Sequence, residues 1–502
     1  MNRLAQLDHR YVWHPFTQMR DWLRCEPIVI ESGRGAILRD IMGTEYLDAN
    51  SSIWTNLHGH NHPAINSAIR RQLNKIAHSS SLGLANEPAS LLAETLVKLA
   101  NPGRKKGSLA ATQFPKRGSA ASVPGFTDSS RRLVKVFFSD DGSTAMEVAL
   151  KLAYETSRRE NRIAKPKFLS MDGAYHGDTI GAASLGHIDL FHRTYGGLLF
   201  KSDKVMAPYC YRCPFNRARP DRADARDYRQ CNWECVDRVE QKFAVQKKHG
   251  SSFSAFVVEP LIQGAAGMIP QPEGWLQRTV PIARGHGTRL IADEVMTGFG
   301  RTGTALTPNG GTSDSAFACQ RAGVAPDFLC LAKGLTGGYL PMAATLTTQT
   351  VFDAFLGDYD EFKTFFHGHS YTANPVGASA ALASLKLLQN PGSISRRRQL
   401  EETLRDGIKV LWKLPVVGDV RQVGLIVGVE LVRNWRTRKP FDLRERAGIR
   451  VCEAMARRGV LTRPIGNVIV IMPPYCTTRA QARRMIGALH DAVVEVFGKM
   501  VL

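Results

Sequence analysis

Between residues 133 and 332, short apolar runs recur, each closed by a polar or glycine-rich turn and followed by a helical pattern. The runs are 133–138, 167–171, 255–258, 289–292 and 328–332, with stretches between them long enough for crossover helices. After the first run, residues 139–143 read as a turn, and residues 145–158 place Met146, Ala149, Leu150 and Ala153 at helical spacing. Such alternation specifies an α/β domain built on a mainly parallel sheet. In sheets of this kind ligands bind beyond the carboxyl ends of the strands, which makes these turns the expected seat of any chemistry.

Past about residue 385 the pattern changes, and helical stretches surround two apolar segments, 423–431 and 468–472, as in a smaller α+β domain. Residues 103–132 and 304–315 have the Ser, Gly and Pro content of surface loop insertions.

The net charge of +21 raises the question of an anionic partner such as nucleic acid. Much of the excess lies in one insertion, at Arg104, Lys105, Lys106, Lys116, Arg117, Arg131 and Arg132, and no nucleic-acid motif accompanies it. A solvated basic surface is therefore expected, with no nucleic-acid partner. No run of about 18 apolar residues occurs and residues 1–15 lack a secretory core, so neither a membrane span nor export is expected. Nine cysteines without such a signal fit a reducing cytoplasm. Cys210-x2-Cys213 and Cys231-x3-Cys235 have two readings, a structural zinc knuckle or reduced cysteines on a surface excursion; no metal is expected in the chemistry itself.

Four features carry chemistry. Lys333 ends an apolar strand before a glycine-rich turn, where burial favours the neutral amine that attacks an aldehyde. Asp293 closes another strand, where a buried carboxylate can keep a pyridine nitrogen protonated; Asp-Glu there can equally be a helix cap. Gly142 and Ser143 open a helix, whose free N–H groups and dipole suit a phosphate. Tyr175, in a Gly-Ala-Tyr-His-Gly turn, can stack on a flat ring. Singly each is ordinary; their order along the chain, one at each strand end, is not.

The set Asp140-Asp-Gly-Ser143, Tyr175-His-Gly-Asp178, Glu259-Pro-Leu-Ile-Gln263-Gly, Ile291-Ala-Asp-Glu294, Thr297-Gly-Phe-Gly-Arg301-Thr-Gly303 and Lys333-Gly resembles the class III aminotransferases, of fold type I among pyridoxal-phosphate enzymes. The resemblance runs from about residue 10 to the C-terminus. It implies a seven-stranded, mainly parallel sheet in a large domain, 65–385, and a small domain made from segments 1–64 and 386–502. It further implies pyridoxal phosphate on Lys333, with Asp293 at the ring nitrogen, Gln263 at the phenolic oxygen, Gly142 and Ser143 at the phosphate, and Tyr175 on the ring face, supported by Asp178. His369 and Ser370 would reach the phosphate from the second subunit of a homodimer with shared active sites.

Trp13-His-Pro-Phe-Thr-Gln-Met19, Ser51-Ser-Ile-Trp54, Phe366-His-Gly-His-Ser370 and Leu461-Thr-Arg-Pro-Ile465 resemble the branch of the class that serves biotin biosynthesis. That branch converts 8-amino-7-oxononanoate to 7,8-diaminononanoate with S-adenosylmethionine or L-lysine as amino donor. Arg463 would bind the carboxylate of the keto acid, and Phe16, Ile53, Trp54, Tyr175 and Gly368 would line the substrate space. Arg301 would lie near the substrate entrance or serve as a structural loop arginine. Phe16 and Ile53 stand where the adenosylmethionine-using form commonly has Tyr and Trp, which brings the chain closer to the form that uses lysine. The alternative is a class III enzyme acting on an ω-amino acid or a diamine.

Overall fold

The computed structural model describes residues 1–102, 131–161, 165–250, 252–306 and 312–501. The central residues of both expected insertions, 103–130 and 307–311, with most of the basic cluster, lie outside the described residues. Strands Thr304–Leu306 and Thr312–Asp314, both inside the second insertion, form an antiparallel pair.

Seven strands form the main sheet: β1 (Leu133–Ser139), β2 (Lys167–Met171), β3 (Asp203–Val205), β4 (Phe253–Val258), β5 (Arg289–Asp293), β6 (Phe328–Leu331) and β7 (Ala343–Thr348). Their order across the sheet is β1-β7-β6-β5-β4-β2-β3, parallel except for β7, which runs antiparallel to both its neighbours. All residues of β4 and β7 are buried, as a sheet covered on both faces requires. Side chains alternate between the two faces with the strand period of two. Ile291, Phe328 and Cys330 pack on one side with Ala145, Met146, Ala149 and Ala153 of helix α1 (Gly142–Asn161). Phe256, Val258 and Leu290 pack on the other against helices α2 (Glu234–Lys248) and α3 (Trp275–Gly285).

Helix α1 starts three residues before the expected position because its first turn is capped. Thr144 Oγ1 accepts from the amides of Asp140 and Asp141 at 3.1 and 2.9 Å, and Asp141 Oδ1 accepts from Thr144 N at 2.8 Å. Gly142 has no room for a side chain, since a Cβ there would lie 2.8 Å from Val295 Cγ1. The first turn of α1 is thereby pressed against the end of β5.

The C-terminal region folds around an antiparallel sheet containing β8 (Val417–Val423), β9 (Ile426–Asn434) and β10 (Val468–Ile471), with β9 between the other two. The N-terminal strands join it in space: Glu45–Asp48 pairs in parallel with Val460–Leu461. One apolar cluster runs from Leu47 and Leu92 through Leu329 and Leu331 to Leu431 and Phe497, and so ties the terminal regions to the main sheet. Among the described residues, no helix is long and apolar enough to cross a membrane.

Candidate active site

Strands β1, β2, β4, β5 and β6 all point their carboxyl ends to one edge of the sheet, and the expected residues leave from those ends. Asp293 closes β5 and is 6 % exposed. Its Oδ1 accepts from Val295 N at 3.1 Å, and its Oδ2 lies 2.7 Å from Nδ1 of the buried His176. Burial opposes charge on His176, but the hydrogen bond and charge of Asp293 outweigh it and raise the imidazole above its ordinary pKa. His176 Nδ1 is thereby held against the Asp293 carboxylate, within hydrogen-bond distance.

Lys333 follows β6, with a left-handed φ of +43°. Burial pushes its amine below the ordinary lysine value, against the pull of Asp293 and Glu259. Its Nζ lies 4.6 Å from the centre of the Trp54 ring. Trp54 reaches that position through an unusual segment: Ser51, Ser52, Ile53 and Trp54 all have φ between +48 and +68° without a glycine among them. Left-handed backbone costs about 1–2 kcal/mol per non-glycine residue, and such strain concentrates at functional sites. The segment is held by Asp48, which accepts from Ser52 N at 3.0 Å and Ser52 Oγ at 2.9 Å, and by Ser51 Oγ, which donates to Met472 O at 2.7 Å.

Tyr175 leaves the end of β2. Its hydroxyl donates to Asp178 at 2.7 Å, and burial keeps it protonated far above neutral pH. Phe16 and Phe191 meet it edge to face, with ring centres 6.5 and 6.0 Å away, and form an aromatic wall with it. Asp178 N donates to Ser143 Oγ at 3.2 Å, so the aromatic turn and the start of α1 hold each other. The contact needs glycine at 177, where a Cβ would lie 2.2 Å from Ser143 Oγ.

Glu259, at the end of β4, completes the floor. It accepts from Tyr175 N at 3.3 Å and Gly264 N at 2.8 Å, and burial raises it to about 7. Gln263 donates from Nε2 to Asp172 O at 3.0 Å, while its buried Oε1 has no partner. Trp54 Nε1 and His176 Nε2 are likewise buried without a partner.

These residues fit pyridoxal phosphate. The site offers an amine whose pKa burial lowers, a carboxylate for a cationic ring nitrogen, the Gly142 and Ser143 N–H groups at a helix start for a phosphate, an aromatic face, and an orphaned acceptor for a phenolic proton.

The remaining expected residues fall elsewhere. Arg301 is 1 % exposed and donates to Pro473 O at 2.8 Å and Asn56 O at 3.0 Å, contacts that favour the structural one of its two readings. Arg463 is exposed between Val460–Leu461 and Pro464–Ile465; Ile465 packs in the same cluster as Trp54. Within the chain, His369 Nδ1 lies 3.4 Å from Asp140 Oδ2, near the start of α1. Ser370 and Gly368 are exposed, and the Ser370 carbonyl accepts from His78 at 2.9 Å. Ile53 is 45 % exposed on the strained turn. Sequence reasoning gave no role to His176 or Glu259, although both sit inside the motifs it singled out; the adjacency of Tyr-His in that turn was the available signal. Glu294, beside Asp293, is structural, its carboxylate accepting from the amides of Ala318 and Cys319 at 2.6 and 2.8 Å.

A seven-stranded sheet with this order, and a lysine, a carboxylate and a phosphate seat at one edge, define a fold type I pyridoxal-phosphate enzyme. The family described as aminotransferase class-III matches residues 20–493, and the chain belongs to it. The chain is 43 % identical, over 99 % of its length and 98 % of the relative's, to the adenosylmethionine-8-amino-7-oxononanoate aminotransferase of Geobacter sulfurreducens. The crystal structure of the Methanocaldococcus jannaschii enzyme of that name is 36 % identical, with a TM-score of 0.83 and 98 % of both chains covered. An amine transaminase from an uncultivated Pseudomonas species, solved in its PLP-bound form, is 31 % identical with a TM-score of 0.81, covering 96 % of this chain and 98 % of its own.

Proposed function

We propose that this enzyme aminates 8-amino-7-oxononanoate to 7,8-diaminononanoate, with S-adenosylmethionine or L-lysine as donor, as a cytoplasmic homodimer. The observation that carries the reading is the full-length likeness to aminotransferases named for that keto acid, together with an intact Lys333–Asp293 pair. Bound pyridoxal phosphate supplies an electron sink and a carrier for nitrogen. The chain's residues do the rest. Lys333 would hold the cofactor and, with its amine pushed below the ordinary lysine value by burial, would move the proton on and off the substrate carbon. Asp293 would keep a proton on the ring nitrogen, and His176 would fix the carboxylate that does so. The amides of Gly142 and Ser143 would hold the phosphate, Gln263 Oε1 would accept from the phenol, and Tyr175 would cover the ring.

On the substrate side, Arg463 presents an exposed guanidinium, without a hydrogen bond or ion pair among the described residues, beside the Trp54 cluster. A planar fork of this kind suits the keto acid's terminal carboxylate. Phe16, Ile53 and Trp54 would supply apolar and aromatic surface for its chain, and Gly368 would border it. The dimer is supported by the exposed apolar side chains around the phosphate-reaching run, among them Tyr359, Phe362, Phe366 and Tyr371, which are 93, 67, 76 and 64 % exposed. The pairing of Glu45–Asp48 with Val460–Leu461 supports a small domain of 1–64 and 386–502 around a large domain of 65–385.

The second reading, an amine or ω-amino-acid transaminase, is favoured by the likeness to the Pseudomonas enzyme. Offering 8-amino-7-oxononanoate beside succinic semialdehyde or glutamate semialdehyde separates the two. Preference for a semialdehyde overturns the proposal. Adding lysine and adenosylmethionine separately, and following loss of the cofactor's visible band, identifies the donor.

A further inference from the structure

Trp54 reaches Lys333 on a single turn of left-handed helix. Ser52 and Ile53 have φ, ψ of 48°, 57° and 60°, 54°, and Trp54 N closes the turn by donating to Asn50 O at 2.9 Å. Residues with a Cβ disfavour this backbone, so a run of them persists only where the surroundings impose it. Asp48 is the centre of those surroundings. It is 3 % exposed; its Oδ1 accepts from the amides of Asn50 and Ser52 at 3.2 and 3.0 Å, and its Oδ2 from Ser52 Oγ at 2.9 Å. His60 Nε2 lies 3.0 Å from the same Oδ2. Burial opposes charge on Asp48, but the bonds from His60 and Ser52 outweigh it and hold the carboxyl below its ordinary value. The imidazole is itself fixed in place. Gly59 N donates to Asn56 Oδ1 at 2.8 Å, so the Asn56 amide turns its Nδ2 towards His60 Nδ1, 3.0 Å away. An amide nitrogen only donates; Nδ1 therefore accepts, and the ring proton sits on Nε2, aimed at Asp48. The His60 backbone is paired with Gly35 in both directions, at 2.8 and 3.0 Å.

We propose that His60 and Asp48 are positioning residues for transamination, holding the left-handed turn that sets the Trp54 indole against the reacting amine. The inference rests on Lys333 being that amine. Its Nζ lies 4.6 Å from the centre of the Trp54 ring. The indole also packs beside the loop that follows Gln263, where a Cβ on Gly264 would lie 3.5 Å from Trp54 Cζ3. The exit of the turn is keyed to the lysine's own loop, because a Cβ on Gly338 would lie 2.8 Å from Asn56 N. With its exit fixed there, the turn is free to change only at Ser51–Trp54, the residues that Asp48 holds. Relaxation of those residues to right-handed backbone redirects each side chain and takes the indole away from Lys333. A misplacement of about 1 Å beside reacting groups costs on the order of 100-fold in rate. His60 therefore acts at two removes, through Asp48 and then Trp54.

The test is a double-mutant cycle between His60 and Trp54, read beside amide hydrogen exchange of the holoenzyme. His60→Leu should lower kcat/KM for 8-amino-7-oxononanoate roughly 10- to 100-fold. In a Trp54→Leu background the same change should cost less than about twofold, because the group it positions is already gone. His60→Gln, which keeps a donor towards Asp48, should restore kcat/KM to within about threefold of the wild type. In the holoenzyme, His60→Leu should speed exchange in the peptide 49–57 by about tenfold or more and leave strand β4 unchanged. Where His60→Leu fails to fold, Ser52→Ala removes one bond to Asp48 from an exposed residue and should move both readouts the same way by a smaller factor. Additive losses in the cycle, unchanged exchange at 49–57, or an equal rise in β4 would overturn the proposal, since each is the mark of a merely structural histidine. Failure of the underlying reading shows differently, as a cofactor carried on another lysine while the exchange result stands.

Discussion

Replacing His176 with glutamine removes the imidazole while keeping a hydrogen-bond donor close to Asp293. The imidazole is fully buried, its Nδ1 2.7 Å from Asp293 Oδ2, with no other partner on its Nε2. A charge-assisted bond of this kind is worth about 1.5–3 kcal/mol, and a neutral amide recovers only part of it. Asp293 is the group that keeps the ring nitrogen protonated, so the loss falls on the cofactor's reactivity more than on folding. If most of it reaches the transition state, kcat falls by roughly 10- to 100-fold, at about 1.4 kcal/mol per decade. The assay is turnover with saturating donor and acceptor, beside a pH titration of the cofactor's visible absorbance. The absorbance transition should move, because a titratable group in contact with Asp293 has been replaced by one that does not titrate; a packing defect alone would leave it in place. Turnover within twofold of the wild type with an unmoved transition would refute the reasoning, in the range set by ordinary mutational noise.

Other outcomes follow from the same geometry. Glu259 is raised from 4.5 to about 7 in the folded chain. Its stabilising contribution is thus complete below pH 4.5 and lost as pH rises towards 7. His176 is raised as well, so its contribution is complete below the unfolded imidazole's pKa and lost as pH rises past it. Glu259→Gln should therefore flatten the fall in melting temperature between pH 4.5 and 7. Gly177→Ala should weaken cofactor binding roughly tenfold or more, a cost of about 1–3 kcal/mol at a position with φ of +122° and Ser143 Oγ 2.2 Å from the added carbon; titrating the apoenzyme with pyridoxal phosphate measures it. Arg463→Ala should raise KM for the keto acid about tenfold, the lower end for a charge-assisted bond at an exposed site, with little change in kcat for the donor half-reaction. An unchanged KM would move the carboxylate to another cation.

The fold was legible where burial on both faces writes a continuous apolar run, as in Phe253–Val258 and Phe328–Leu331. Strand Ala343–Thr348 carries no such run. Its threonines are buried because their hydroxyls are paired, Thr345 with Ala145 O at 2.8 Å and Thr347 with Asp327 O at 3.1 Å. Lys333 and Asp293 were legible because each ends an apolar run with a group that such a run does not otherwise tolerate. His176 was not, since its role depends on a carboxylate 117 residues away. The left-handed turn at Ser51–Trp54 was equally hidden, because Ser-Ser-Ile-Trp contains no glycine to announce positive φ and Asp48 imposes it from outside the segment. Arg301 kept two readings for a related reason: a guanidinium that serves backbone carbonyls looks the same in sequence as one that serves a substrate.

The most direct test of the central claim is to fix the cofactor in place. The purified enzyme is reduced with borohydride, digested, and searched by mass spectrometry for the residue that carries the pyridoxyl group. The account predicts the label on Lys333, and no visible cofactor band or turnover in Lys333→Ala. A label on another lysine, or a Lys333→Ala protein that keeps both band and turnover, would contradict it.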